Sequence, residues 1–166
     1  MAAPIIAPAL TQIFNLSISK AEFPSSLKLR MVPIHTKGPK LDYTNYRPIS
    51  ILPITSLILE RHVNLHFKAY LDLNSLFYVR QSGFREHHSC QTALIKIIDD
   101  WLSAINENKI AGSLFLYFSK AFDLVDHSLL IHKLKLYYID TSWFSSYLNK
   151  RFQQTNYAGA ISDKKR

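Results

Sequence analysis

A single cysteine, Cys90, stands among 166 residues, so an intramolecular disulfide and a cysteine-based metal site are both excluded and a reducing compartment is expected. Glycine is almost as scarce, with four residues, and the seven prolines are scattered. No Gly/Pro-rich linker divides the chain, and one folding unit, or a piece of one, is the expectation. Residues Met1 to Ser19 carry no charged side chain. Their apolar content is interrupted by Pro4, Pro8, Thr11, Gln12, Asn15 and Ser17, and no basic stretch precedes it. That fits neither a targeting leader nor a spanning helix, which needs about 20 mostly apolar residues. A soluble intracellular protein with no membrane partner is expected, with nucleus and cytoplasm equally open. The seven histidines form no HExxH pattern, the adjacent His87 and His88 cannot share one face of a helix or strand, and no GxxxxGK[ST] loop is present to cradle phosphate.

What the chain does contain is ordinary for a folded protein. Hydrophobic residues make up 48% and charged residues 19%, too apolar for disorder. A chain of this size buries roughly two-thirds of the surface its unfolded form exposes. Basic residues outnumber acidic ones by 20 to 12, a net charge of +8. Such an excess favours polyanions through counterion release from phosphates, although many basic proteins bind nothing specific.

Periodicity supplies a coarse map. Ile6, Leu10, Ile13, Phe14 and Ile18 recur at helical spacing, predicting a helix after Pro4 or Pro8. Leu27 to Ile34 reads as a strand with Leu27, Leu29, Met31 and Pro33 on one face. Gly38-Pro39 marks a turn, and Tyr46 to Leu52 is extended because Pro48 biases Arg47 away from helical geometry. Leu57, Ile58, Val63, Phe67, Tyr70 and Leu71 define a second helix, and Ser82-Gly83 breaks the pattern. A third carries Ala93, Leu94, Ile97, Ile98, Trp101, Leu102 and Ile105, capped by Ser89 and fraying over Asn106 to Lys109. Leu114 to Phe118 (LFLYF) reads as a strand buried on both faces. Asp126 to Tyr138 and Ser142 to Leu148 read as helices, and Phe152 to Ala158 as a strand. The fold class expected is mixed α/β (α+β), with helices dominating. Asp123, Asp126 and His127 form the densest local group of titratable side chains, and a helix N-terminus capped by Asp126 accounts for them better than a metal site.

Six phrases then stand in order: FPSSLK (Phe23 to Lys28), VPIHTKG (Val32 to Gly38), NYRPISIL (Asn45 to Leu52), QSGFR (Gln81 to Arg85), FSKAFDLVDH (Phe118 to His127) and SWFSSYLNKRFQQ (Ser142 to Gln154). Together they resemble the reverse transcriptases of non-LTR (LINE-type) retrotransposons, from about Pro8 to Gln154. The resemblance implies a partial right-hand polymerase fold, with helix-rich fingers over 1–110 and a truncated start of the palm over 111–166. It implies RNA-directed DNA synthesis with Mg2+, in which two cations about 4 Å apart, held by palm carboxylates, stabilise the attacking 3′-oxygen and the leaving pyrophosphate.

Carried over by position, Arg47 matches the fingers arginine at the triphosphate, although a structural arginine paired with an acid also fits. Lys37 lies beside the usual lysine position, which here is Thr36. Gln81 and Arg85 match a stretch that grips the template backbone. Phe122 matches the aromatic that rests on the sugar and excludes a 2′-hydroxyl, and equally fits a core aromatic.

Tyr117 departs from the pattern. It occupies the position of the first metal-binding aspartate, so LYFSKAFD stands where the family has a phrase such as LDFSKAFD, and a neutral phenol supplies no carboxylate for magnesium. Asp123, six residues on, is no replacement. The PQG loop and the paired aspartates of the family's palm hairpin are also missing. The expectation is a decayed or fragmentary reverse transcriptase without polymerase activity of its own and with no bound cofactor. The alternatives are a non-catalytic remnant that binds RNA or RNA–DNA duplex weakly, and a non-functional product that does not fold stably because an incomplete palm leaves the edge of the Leu114 to Phe118 strand unpaired with apolar surface exposed.

Overall fold

The computed structural model describes residues 3–36, 39, 41, 46–118, 121–122, 124–157 and 159–165. Side chains of residues 34–36 and 46–48 are outside that description, as are Lys37 and Asp123 altogether. The described elements, in chain order, are α1 (Ala3–Ser19), a short 3-10 turn (Ser25–Leu27), β1 (Leu29–Thr36), β2 (Tyr46–Pro48), α2 (Ile54–Leu73), α3 (Cys90–Asn106), α4 (His127–Leu136), α5 (Ser142–Leu148), β3 (Phe152–Tyr157) and β4 (Ala160–Ile161). The fold is mixed α/β. Packing divides the chain into two compact units, Met1–Ala69 with Asp126–Arg166, and Tyr70–Val125.

The first unit is built on a four-stranded sheet in the order β2-β1-β3-β4. β1 pairs antiparallel with β2, placing His35 opposite Arg47. It pairs in parallel with β3, from Leu29 opposite Phe152 to Pro33 opposite Asn156. A parallel pair needs a crossover, here the whole chain between the two strands, so this ladder leaves no local trace in the sequence. The expected face of β1 is also corrected. Val32 and Lys28 are the buried positions, whereas Leu27, Leu29, Met31 and Pro33 are half-buried. A one-residue change of register inverts every side chain, and the partner strands decide which set goes in.

The helices of this unit turn the faces that tertiary contacts select. α1 begins at Ala3, ahead of both prolines, with Pro8 inside it. Its packed positions are Leu10, Phe14 and Ser17, while Ile6, Ile13 and Ile18 stay exposed. On α2, Ser56 and Leu59 are fully buried and Val63 and Phe67 half-buried, while Leu57 and Ile58 face outward. These faces meet an aromatic cluster on α5. Phe23 lies edge-on to Trp143 and Tyr147, with ring centroids 5.5 and 5.1 Å apart, and Phe144 reaches Phe67 at 5.6 Å. Polar groups carried inward are satisfied. The Trp143 indole donates to Ser17 Oγ at 3.0 Å, and Ser17 Oγ donates to the Glu22 carbonyl at 2.6 Å.

Lys28, only 7% exposed, extends its ammonium to the carbonyls of Ser146 (2.5 Å) and Asn149 (3.1 Å) at the end of α5. A cation there meets the negative end of the helix dipole and two carbonyls the helix leaves unbonded.

In the second unit α3 starts on a capping box. Ser89 Oγ accepts from the Thr92 N–H at 3.2 Å, and Thr92 Oγ1 accepts from the Ser89 N–H at 2.8 Å. The fraying expected at its other end gives way to a closed turn. Asn108 takes φ +55°, its N–H donates to Ile105 O at 2.9 Å, and the Lys109 N–H donates to Ala104 O at 2.8 Å. The same device ends α1 at Ala21 (φ +53°), α2 at Ser75 (φ +53°) and α4 at Tyr138 (φ +59°).

Glycine scarcity has a physical consequence here, because a side chain in the left-handed region costs about 1 kcal/mol or more. Tyr138→Gly is therefore expected to stabilise the first unit by about 1 kcal/mol, since the exposed ring contributes little packing. Urea titration of the two proteins checks this, and an unchanged or lower midpoint contradicts it.

Leu114 to Phe118 is the largest correction. The segment belongs to no strand, and all five side chains are highly exposed. A strand is held by ladder hydrogen bonds, and among the described residues none pairs with this run. Its tether is indirect, the Trp101 indole donating to Ser113 Oγ at 2.7 Å. The apolar stripe of α3 is likewise mostly exposed. Leu94, Ile98, Leu102 and Ile105 face solvent, and Ala93, Ile97 and Ala104 are half-buried.

Candidate nucleotide and nucleic-acid site

Arg47 is the middle residue of β2, and its backbone is fixed by the pairing with His35. Lys37 lies outside the described residues. Arg47 belongs to the first unit, whereas Gln81, Arg85, Tyr117 and Phe122 belong to the second.

Within the second unit the QSGFR loop and the AFD phrase come together. Phe122 is 79% exposed, and its ring stands edge-on to Phe84 with centroids 6.1 Å apart. The loop holds itself in shape. Gln81 Nε2 donates to the Gly83 carbonyl at 3.0 Å, and Arg85 Nη1 donates to the Tyr78 carbonyl at 3.4 Å. The Arg85 guanidinium carbon lies 5.2 Å from the Phe77 ring centre, a cation–π contact that keeps the side chain against the loop. Phe84 and His87 sit at φ +61° and +59°. Sequence reasoning singled out Gln81 and Arg85 but missed Phe84, the residue that links this loop to Phe122. Its signal was an aromatic directly after the loop's glycine, which is weak without the second phrase in view.

Tyr117 is 94% exposed. Asp126 is committed elsewhere. Its Oδ1 accepts from the Ser128 N–H (2.8 Å), the Leu129 N–H (3.0 Å) and the Ser128 hydroxyl, as the N-cap of α4. The Ser128 hydroxyl, the Leu129 and Ser128 N–H groups and nearby His127 hold its carboxyl below the ordinary aspartate range. Among the described residues no group of three or more His, Cys, Asp or Glu side chains lies close enough to hold a cation. The neutral phenol of Tyr117 supplies no carboxylate of the kind a magnesium ion takes.

The lowered pKa fixes the sign of a pH effect. A depressed carboxylate contributes stability above its unfolded pKa of about 3.9, and that stability is lost as pH falls through the lower folded value. Acidification below about pH 4 is therefore expected to unwind the start of α4, and Asp126→Asn, which caps without a charge, to blunt the acid response. Circular dichroism of the two proteins between neutral and acid pH compares them. Identical acid limbs would remove Asp126 as a contributor.

The comparisons with known proteins agree with the phrases. The model of the family "Reverse transcriptase (RNA-dependent DNA polymerase)" matches residues 35–165, from the end of β1 past β4. The chain is 32% identical over 128 residues to a probable RNA-directed DNA polymerase from transposon X-element of Drosophila melanogaster. It is 31% identical over the same length to the RNA-directed DNA polymerase from mobile element jockey of Drosophila funebris. A probable RNA-directed DNA polymerase from transposon BS of Drosophila melanogaster is 29% identical. In each case 76% of this chain is covered but only 14% of the relative. α1, Phe23 and Lys28 precede the family match, yet they pack on Trp143, Ser146 and Tyr147 inside it. With most of its length matched and its phrases in the family's order, this chain belongs to the reverse transcriptase family, in the branch encoded by non-LTR retrotransposons.

Proposed function

We propose that this chain binds RNA or an RNA–DNA duplex weakly and does not polymerise DNA. One observation carries the reading: Tyr117 offers a phenol where the family's first metal-binding aspartate belongs. A phosphoryl-transfer site needs acidic oxygens to gather its cations, and losing one such ligand costs several orders of magnitude in rate. In this reading residues 1–110 correspond to fingers and 111–166 to the beginning of a palm. Arg47 and Lys37 face the phosphates of a nucleotide, Phe122 its sugar, and Gln81 and Arg85 the backbone of a template. No cation is held, and binding rests on the net charge of +8. A polynucleotide-binding chain with one thiol works inside the cell, in nucleus or cytoplasm.

Two measurements on the same protein test the reading. Affinity for a short RNA–DNA hybrid is expected to fall steeply as salt rises, and primer extension with Mg2+ or Mn2+ to give no incorporation. DNA synthesis that disappears on Arg47→Ala would refute the catalytic half, and affinity indifferent to salt the binding half.

A further inference from the structure

The geometry points to a phosphate-backbone contact site in the cleft between the end of α1 and the end of α5, with Lys20 and Lys150 on its rim, Lys28 at its base and Ser25 and Ser26 along its wall. The inference rests on the nucleic-acid reading above and extends it to residues to which that reading gave no role.

The cleft measures about 630 Å³ and lies wholly within the first unit. Three lysines line it against one carboxylate, Glu22. Lys28 is fixed, its ammonium held between the Ser146 and Asn149 carbonyls. Burial first, and then the positive charges of Arg151 and Lys150, lower its pKa, while Glu22 opposes them. Lys28 therefore feels the positive charge of Arg151 and Lys150, and an anion in the cleft offsets that repulsion. Lys20 and Lys150 are exposed, whereas Lys28 is buried. The Ser25 and Ser26 side chains are exposed on the 3-10 turn between them.

The chemistry that fits is a phosphodiester: a single negative charge with non-bridging oxygens to accept from ammonium and hydroxyl donors. A nucleic-acid backbone is favoured over a lone anion because the cleft is open and carries exposed lysines from two elements, Lys20 after α1 and Lys150 after α5, which offers more than one phosphate a partner. Two bridged phosphates would contribute about 1.8 to the slope of log affinity against log salt.

The experiment is fluorescence anisotropy with a labelled RNA–DNA hybrid across a salt series, using the full chain and two double variants. Lys20→Gln with Lys150→Gln removes the rim. Lys164→Gln with Lys165→Gln removes the same charge from the exposed C-terminal end. The rim variant is expected to lose close to 2 units of slope, so that raising salt from about 50 to about 200 mM costs it roughly tenfold less affinity than it costs the parent. The control variant is expected to keep the parent's slope. A rim variant with the parent's slope, or one matched by the control, overturns the site while leaving nucleic-acid binding intact. A parent chain that does not bind the hybrid overturns both the site and the reading beneath it. Circular dichroism of the variants confirms that the fold is retained.

Discussion

Phe23→Ala is expected to lower the stability of the first unit by about 3–5 kcal/mol, enough to unfold much of it. Phe23 is 3% exposed and joins the linker after α1 to both rings on the inner side of α5. Its backbone N–H donates to Ser146 Oγ at 2.9 Å, which fixes the ring's position in addition to burying it. Truncation removes the transfer energy of the ring, opens a cavity bounded by Trp143 and Tyr147, and forfeits two edge-to-face contacts worth roughly 0.5–1.5 kcal/mol each. Trp143 reports directly on the site. In a Trp101→Phe background, urea unfolding followed by indole fluorescence isolates the first unit, because Trp101 lies in the second. A midpoint within error of the parent would mean that the cluster is not the core this structure describes.

Arg151→Ala follows, with an expected loss of about 2–4 kcal/mol. The guanidinium lies 4.3 Å from the Tyr147 ring centre and 5.7 Å from that of Phe23, and its Nη2 is 3.5 Å from Glu60 Oε1. Both charged side chains are only about one-fifth exposed, so water screens the pair poorly. Glu60 also accepts from Ser56 Oγ at 3.0 Å, which keeps the carboxylate in place when the arginine is cut. Burial and Glu60 raise the Tyr147 phenol pKa while Arg151 pulls it down, so all three groups share one electrostatic environment. Truncating Arg151 leaves Glu60 largely buried without its cation, which is the dominant cost. Arg151→Lys keeps the charge but loses the planar group that lies over the rings, and is expected to recover only part of the stability. Adding Glu60→Gln to Arg151→Ala is expected to cost less than the sum of the two single changes. Strict additivity in that cycle would show that the pair does not interact.

Where local chemistry sets an element, the sequence was legible. Ser142 to Leu148 was readable as a helix to the residue, and Ser89 and Asp126 as caps, because a cap depends on side chains within three positions of the helix start. Phe152 as a strand start and the helical character of α1 to α4 follow from periodicity in the same way. The phrases NYRPIS, QSGFR and KAFDLVDH carried the family, since each is a string of neighbours. The loops that QSGFR and AFD form were not legible as partners, because Phe84 and Phe122 meet through space.

By itself the sequence determined the composition of the elements, their capping and the phrases that carry the family, all of which depend on residue identity and near neighbours. Tertiary structure decided which faces are buried. It put Lys28 inward just before β1, Val32 inward on β1, and Ser56 and Leu59 inward on α2, and it left Leu114 to Phe118 exposed and, among the described residues, without a strand partner. The physical reason is that hydrophobicity sets how strongly a residue favours burial, whereas the position of partner strands and helices sets whether burial is available. For β1 that partner is β3, more than a hundred residues away in the chain, and no local pattern encodes so distant a neighbour.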